Sequence, residues 1–187
     1  DYETKDTYNL TVTTSDGSHT QTKELVVNIT DVNEAPVLSS TIAASSFSES
    51  TTVGTTIATY SASDPESSSI TYSLSGTDSG KFSVSSNGTL TLASTLDYET
   101  KQAYSITVNA SDGDNTVSQG LTISATNVNE APSLSSILVA SSFAESSSVG
   151  TTVATSSASD SEASTISWSL SGTDSGKFAI ASNGTVT

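Results

Sequence analysis

Cysteine is absent from this 187-residue chain, so no disulfide can brace it. Basic residues are scarce: five against twenty Asp and Glu, a formal charge of −15. That balance excludes nucleic acid and direct membrane insertion as expected partners. His19 is the sole histidine, so a His/Cys zinc site is excluded and a histidine base has one candidate. His19 reads as a solvated strand or turn residue. Aromatic residues make up 6% and apolar residues 33%, leaving no obvious exposed recognition patch. No apolar run approaches the roughly 18 residues of a membrane-spanning helix, and no helical period is visible. The chain is read as a non-enzyme.

What is abundant is repetition. "TDVNEAP" at 30–36 returns as "TNVNEAP" at 126–132, and "DYETK" starts at Asp1 and at Asp97, each pair 96 residues apart. "SSFSES" (45–50) recurs as "SSFAES" (141–146), and "SGTDSGKF" (75–82) recurs unchanged at 171–178. A period of this size is that of a domain rather than of a solenoid repeat. The expected division is 1–36, the C-terminal part of one repeat; 37–132, a complete repeat; and 133–187, the N-terminal part of a third. The two partial repeats leave open strand edges. Either the chain is an excerpt from a longer array, or one molecule completes the next by strand addition.

Within the complete repeat, Tyr104, Ile106, Val108 and Ala110 alternate with polar residues, as do Leu121, Ile123 and Ala125. Ile70, Tyr72 and Leu74 alternate likewise, and Phe82, Val84, Leu90, Leu92, Ile57, Tyr60 and Ala62 supply further apolar positions. Period two marks half-buried strands. "SNG" (86–88) carries the Asn-Gly hairpin signal, and "SDGDN" (111–115) marks a turn. About seven strands with turns every 8–12 residues predict an antiparallel β-sandwich. The fold class is therefore all-β, tandem seven-stranded Greek-key sandwiches in a linear array. In the third repeat Trp168 stands for Tyr72 and Ile180 for Val84, keeping apolar residues facing in.

The carboxylates gather in the connections: Glu49, Asp64 with Glu66, Asp97 with Glu99, Asp112, and the linker Glu130. In extended chain, residues i and i+2 point the same way, so Asp64/Glu66 and Asp97/Glu99 are expected to present paired carboxylates. Two such groups about 4 Å apart repel by roughly 1–4 kcal/mol, and five basic residues cannot balance them. A hard divalent cation with six to eight oxygen ligands, Ca²⁺ above all, supplies the counter-charge. The scattered Asp78, Asp174 and Glu24 read instead as surface charges that favour solubility. Sequons at Asn9, Asn28, Asn87, Asn109 and Asn183 are what a Thr-rich strand protein contains by chance.

In order, Glu49, Asp64-Pro65-Glu66, Asp97-Tyr98-Glu99, Asp112 and Asp31-Val32-Asn33-Glu34-Ala35-Pro36 resemble the motifs of the cadherin repeat, in the form found in bacterial multi-repeat surface proteins and adhesins. The resemblance spans the chain. It implies Ca²⁺ at the junctions between repeats, one to three ions at each. Carried over by position, it implies Asp1, Glu3, Asn33, Glu34, Asp64, Glu66 and Asp112 at the first junction. At the second it implies Glu49, Asp97, Glu99, Asn129, Glu130, Asp160 and Glu162. The first linker Asp, here Asp31 and replaced by Asn127 in the next linker, is not among the main ligands of that pattern. The implied function is a calcium-stiffened spacer or adhesion array of an extracellular or cell-surface protein. Its partners are neighbouring repeats of the same or like chains. The alternative is a module that itself binds a cell-surface, glycan or like partner.

Overall fold

A computed structural model describes residues 1–138 and 142–187. Ser141, the first residue of the second "SSF" phrase, lies outside the described residues. The chain forms two compact units, Asp1–Thr126 and Asn127–Thr187.

The first unit opens with a hairpin, β1 (Thr7–Ser15) and β2 (Thr20–Asn28). A sandwich follows: β3 (Val37–Ile42), β4 (Ser46–Ser48), β5 (Thr56–Ser63), β6 (Thr71–Ser75), β7 (Phe82–Val84), β8 (Thr89–Leu92), β9 (Ala103–Ser111) and β10 (Thr116–Thr126). One sheet runs β3-β5-β8-β7 and the other β4-β10-β9-β6. The segment that opens the sandwich forms two short strands, one in each sheet. The first, β3, pairs antiparallel with β5, and the second, β4, pairs parallel with β10 in the opposite sheet. One segment thus closes an edge of both sheets, which limits open edges.

The core is the inward faces of both sheets: Ile57, Tyr60, Leu90 and Leu92 against Tyr104, Ile106, Val108 and Ile123, all buried. Phe82 and Tyr104 meet edge to face at 6.5 Å, a preferred aromatic geometry. Ile57 and Tyr60 cannot both face inward on a regular strand, since they differ in parity. A register shift between Thr56 and Ala58 resolves this and buries Ile57, Ala58 and Tyr60 together.

The Asn-Gly signal marks a real hairpin, but its loop is four residues, Ser85 to Gly88, between β7 and β8. Gly88 N–H donates to the Ser85 carbonyl at 2.9 Å, and Tyr60 N–H donates to the Gly88 carbonyl at 2.9 Å. The loop therefore serves as an extra rung beside β5. Gly88 sits at φ 80°, and a Cβ there would stand 2.1 Å from the Tyr60 carbonyl oxygen.

Asp78 is no mere solubility charge. Its side chain is 10% exposed and pairs with Lys101 at 2.6 Å. Its other oxygen accepts the Ser105 N–H at 2.7 Å, tying the turn after β6 to the start of β9. The Lys101 ammonium, then the Ser105 N–H, hold the Asp78 carboxyl below the usual carboxylate range.

In the second unit β11 (Ser133–Leu138), β12 (Ala154–Ser159) and β13 (Thr185–Val186) form a three-stranded sheet. Its β11–β12 register, Leu134 opposite Ala158, repeats that of β3–β5, Leu38 opposite Ala62. Trp168 and Ile180 are half-buried, and Trp168 lies beneath Gly184, where a Cβ would stand 3.1 Å from its ring.

Gly88→Ala should destabilise the chain by more than about 1 kcal/mol, read as a lower unfolding midpoint in denaturant. An unchanged midpoint would show that the loop can move away from Tyr60. Asp78→Asn should cost about 1–3 kcal/mol at neutral pH. A carboxyl depressed in the folded state contributes fully above its unfolded value near ~3.9 and loses that contribution as pH falls through the folded value. The melting curves of wild type and Asp78→Asn should therefore converge in strong acid, and a constant gap down to that range would refute the ion-pair assignment.

Candidate metal centre

The carboxylates of the complete repeat all lie at strand ends or in connections. Glu49 directly follows β4 and is 8% exposed. Asp97 and Glu99 lie in the connection from β8 to β9. One oxygen from each of Glu49, Asp97 and Glu99 lies within 4.8 Å of the other two. The chain is locked locally to bring them there. Lys101 N–H donates to the Asp97 carbonyl at 2.9 Å, closing a tight turn. Thr100 donates its N–H and hydroxyl to the two Asp97 oxygens at 2.7 and 2.8 Å. Those two bonds, the backbone one first, hold the Asp97 carboxyl below its ordinary value. The Tyr104 hydroxyl accepts from Asp97 N–H at 3.0 Å and donates to the Asp97 carbonyl at 3.1 Å. Tyr98 N–H donates to Glu49 Oε2 at 2.8 Å, and the Tyr98 ring packs on the core.

A second triad is built from three segments: Glu3 in the first turn, Asp31 in the linker, and Glu66 in the turn after β5, again with oxygens mutually within 4.8 Å. Glu34 N–H donates to Glu66 Oε2 at 3.3 Å. The Glu34 carboxyl beside Glu66 pushes the Glu66 carboxyl up, chiefly by sharing a hydrogen bond with it. Asn33 donates to Asp112 at 3.0 Å, and Asn115 donates to the Asn33 carbonyl at 3.2 Å. The N–H of Asn115 is the main reason the Asp112 carboxyl lies below its usual range. Pro36 is buried and ends the linker.

The second unit writes the same local geometry again. Glu130 N–H donates to Glu162 Oε2 at 3.3 Å, as Glu34 does to Glu66. Asn129 donates to the Glu130 carbonyl at 3.0 Å, as Asn33 does to Glu34 at 3.2 Å. Asp160 Oδ1 accepts Ser164 N–H at 3.0 Å, as Asp64 Oδ1 accepts Ser68 N–H at 2.9 Å. That turn bond, first among its causes, holds the Asp160 carboxyl low. Both acidic turns hold a non-glycine residue in the left-handed region, Ser67 at φ 61° and Ala163 at φ 55°. Such backbone is sparsely populated and persists where its surroundings impose it.

Two expectations need adjusting. Asp64 and Glu66 do not act as an extended i, i+2 pair, because Ser67 N–H bonds the Asp64 carbonyl at 3.0 Å and folds the segment into a turn. Glu66 therefore joins Glu3 and Asp31 while Asp64 lies outside that triad. Asp31, set aside on the family pattern, stands in the triad. Its acidity in an extended linker between two carboxylate-bearing turns was the available signal. Asp1 accepts the Thr4 N–H at 3.3 Å and the Thr4 hydroxyl at 2.7 Å, as Asp97 accepts those of Thr100. His19 lies 3.5 Å from Asp16 at an exposed turn.

The donor set is all oxygen. Opposite ligands on one Ca²⁺ stand about 4.6–5.2 Å apart, so each triad is compact enough to share one ion. Asp64 Oδ2 and Glu66 Oε1 are buried atoms to which no described group donates a hydrogen bond. Uncompensated buried carboxylate oxygen costs free energy, and a hard cation would satisfy it. These residues fit Ca²⁺ and do not fit Zn²⁺.

Comparison with known proteins agrees with the fold. Over 117 residues, 60% of this chain and 4% of the relative, it is 38% identical to human cadherin EGF LAG seven-pass G-type receptor 1. The chain thus spans a small part of that relative. Among solved structures, mouse cadherin-23 EC22-24 is 28% identical with a TM-score of 0.58, covering 100% of this chain and 65% of that one. The protocadherin gamma B4 extracellular domain is 27% identical with a TM-score of 0.56, covering 100% of this chain and 32% of that one. The organisms given for these relatives are human and mouse, so the bacterial form of the repeat finds no support in them. Residues 44–131 match the family model for the cadherin domain, and the two-sheet sandwich formed by this stretch agrees with that match.

Proposed function

We propose that the chain is a segment of a calcium-stiffened array of adhesion repeats, divided at 36/37 and 132/133, with Ca²⁺ held by the acidic connections. The observation that carries this reading is the pair of carboxylate triads, Glu49–Asp97–Glu99 and Glu3–Asp31–Glu66, each with oxygens within 4.8 Å, in a chain with five basic residues. Ca²⁺ supplies positive charge and accepts carboxylate, amide and carbonyl oxygens together. The chain's own part is to fix those oxygens in advance. Thr100, Tyr104 and Tyr98 orient the first triad, and the Glu34 N–H orients Glu66 in the second. Because Glu3 and Asp31 precede the sandwich while Glu66 belongs to it, an ion in the second triad ties the preceding hairpin segment to the sandwich. Asn33, Asp64 and Asp112 are the further oxygen donors on that side, and Asn129, Glu130, Asp160 and Glu162 repeat the set in the second unit. A stiff spacer with adhesion as its setting follows, its partners being neighbouring repeats.

Ca²⁺ should raise the thermal midpoint of the chain, with affinity at roughly 10⁻⁴–10⁻³ M as in extracellular modules. At 100 times the dissociation constant one site adds about 2.7 kcal/mol. Identical melting in Ca²⁺ and in chelator would refute the reading. Glu99→Gln and Asp31→Asn should each remove one binding step or weaken it by about tenfold, ~1.4 kcal/mol, in calorimetric titration. Titrations of Glu99→Gln and Asp31→Asn that overlay wild type would mean the ligands lie elsewhere.

A further inference from the structure

The triplet Asn-x-Ser/Thr occurs at Asn9, Asn28, Asn87, Asn109 and Asn183. Composition alone accounts for such triplets, but the structure sorts them into two kinds. Asn9, Asn28 and Asn109 stand on strands β1, β2 and β9. Their counterparts 96 positions away are Ser105, Ser124 and Thr13, so none of the three recurs. Asn109 is also committed to its sheet. Its Nδ2 donates to Ser75 Oγ at 3.1 Å and its Oδ1 accepts from Ser118 Oγ at 2.7 Å, clipping β6 and β10 to β9.

Asn87 and Asn183 differ on each count. Both triplets read Asn-Gly-Thr, and they stand 96 positions apart. Each Asn is exposed and lies in a loop, residues 85–88 and 181–184. The two loops are built alike. Gly88 N–H donates to the Ser85 carbonyl and Gly184 N–H to the Ala181 carbonyl, both at 2.9 Å. The Gly88 carbonyl accepts Tyr60 N–H and the Gly184 carbonyl accepts Ser156 N–H, again both at 2.9 Å. Thr89 N–H donates to Asn87 Oδ1 at 3.2 Å, and Thr185 N–H to Asn183 Oδ1 at 3.0 Å.

Each amide is thus held by its oxygen. Nδ2 of Asn87 and of Asn183 has no hydrogen-bond partner among the described residues. A bulky group attached there displaces no bond of the fold, whereas one on Asn109 Nδ2 must be fitted against Ser75 and the face of the sheet. Surface loops are where this acceptor triplet is used in secreted proteins.

We infer that Asn87 and Asn183 are N-glycosylation sites, one at each copy of this loop. The donor class is an oligosaccharide carried on a polyprenyl diphosphate. The bond from Nδ2 to the sugar C1 forms, the bond from C1 to the phosphate oxygen breaks, the diphosphate leaves with the electron pair, and Nδ2 gives up one proton. The product is a bulky, hydrated cover on the surface. The inference rests on the extracellular setting proposed above, since donor and transferase belong to the secretory route. It does not rest on the calcium sites, because no residue of either triad lies in these loops.

The full chain, secreted behind a cleavable leader from a eukaryotic host, tests it. Peptide mapping with and without peptide N-glycosidase should find glycan on Asn87 and Asn183 and a bare Asn109. Thr89→Ala should empty Asn87 while Asn183 stays filled, and Thr89→Ser, which restores the hydroxyl, should keep Asn87 filled. Circular dichroism checks that each variant keeps its sheets. A bare Asn87 or Asn183 in the folded, secreted wild type overturns the inference, as does glycan on Asn109 at the same level. Calcium titration before and after glycan removal keeps the two readings apart. Filled sites on a chain that binds no calcium refute only the metal centre, and bare sites on a chain that binds calcium refute only the glycan.

Discussion

Like charge held at short range is the constraint around which this molecule is organised. Three carboxylate oxygens within 4.8 Å of one another would drift apart if the chain were free to let them. They do not, because the backbone that carries them is itself bonded. Thr100 caps Asp97, Tyr98 N–H holds Glu49, and the Tyr104 hydroxyl bonds both polar groups of the Asp97 backbone. These bonds draw on the sandwich: Tyr104 is a core residue and Tyr98 packs against the core. The repulsion is thus borne by hydrophobic packing and by the bonded backbone.

The same architecture explains why the acidic phrases are copied so closely. A sandwich of this kind has connections at both ends, and strand register decides where each connection begins. With β3–β5 and β11–β12 in the same register, the turns that follow β5 and β12 start at equivalent places. Asp64 and Asp160 then cap equivalent turns, and Ser67 and Ala163 take the same left-handed backbone. That conformation recurs with different side chains, so the turn imposes it rather than the residue. Its effect is to turn Glu66 and Glu162 back toward the linker N–H groups that bond them.

Much was legible in the sequence. Alternation identified β9 and β10 and their inward residues, because each side chain on a strand faces one side or the other and a thin core tolerates few exceptions. The 96-residue repeat showed where units recur, and the order of Asp and Glu along the chain showed that carboxylates gather in the connections. These features are local, written in residue order and spacing.

Other features were decided only when distant segments met. Alternation could not account for Ile57 and Tyr60 both facing inward, since the bulge between Thr56 and Ala58 depends on the partner strand β8. Asp78 looked like an isolated charge because its partners, Lys101 and Ser105, lie more than twenty residues away. Asp31 joins Glu3 and Glu66 across three segments, and an extended-chain rule cannot express a contact between turns. The strand forms of residues 71–75 and 46–48 rest on partner residues of β9 and β10 more than thirty positions away. Local pattern determines which residues can face a core or a cation, while tertiary pairing decides which do, because a strand is stable only with a neighbour and a carboxylate becomes a ligand only beside other ligands.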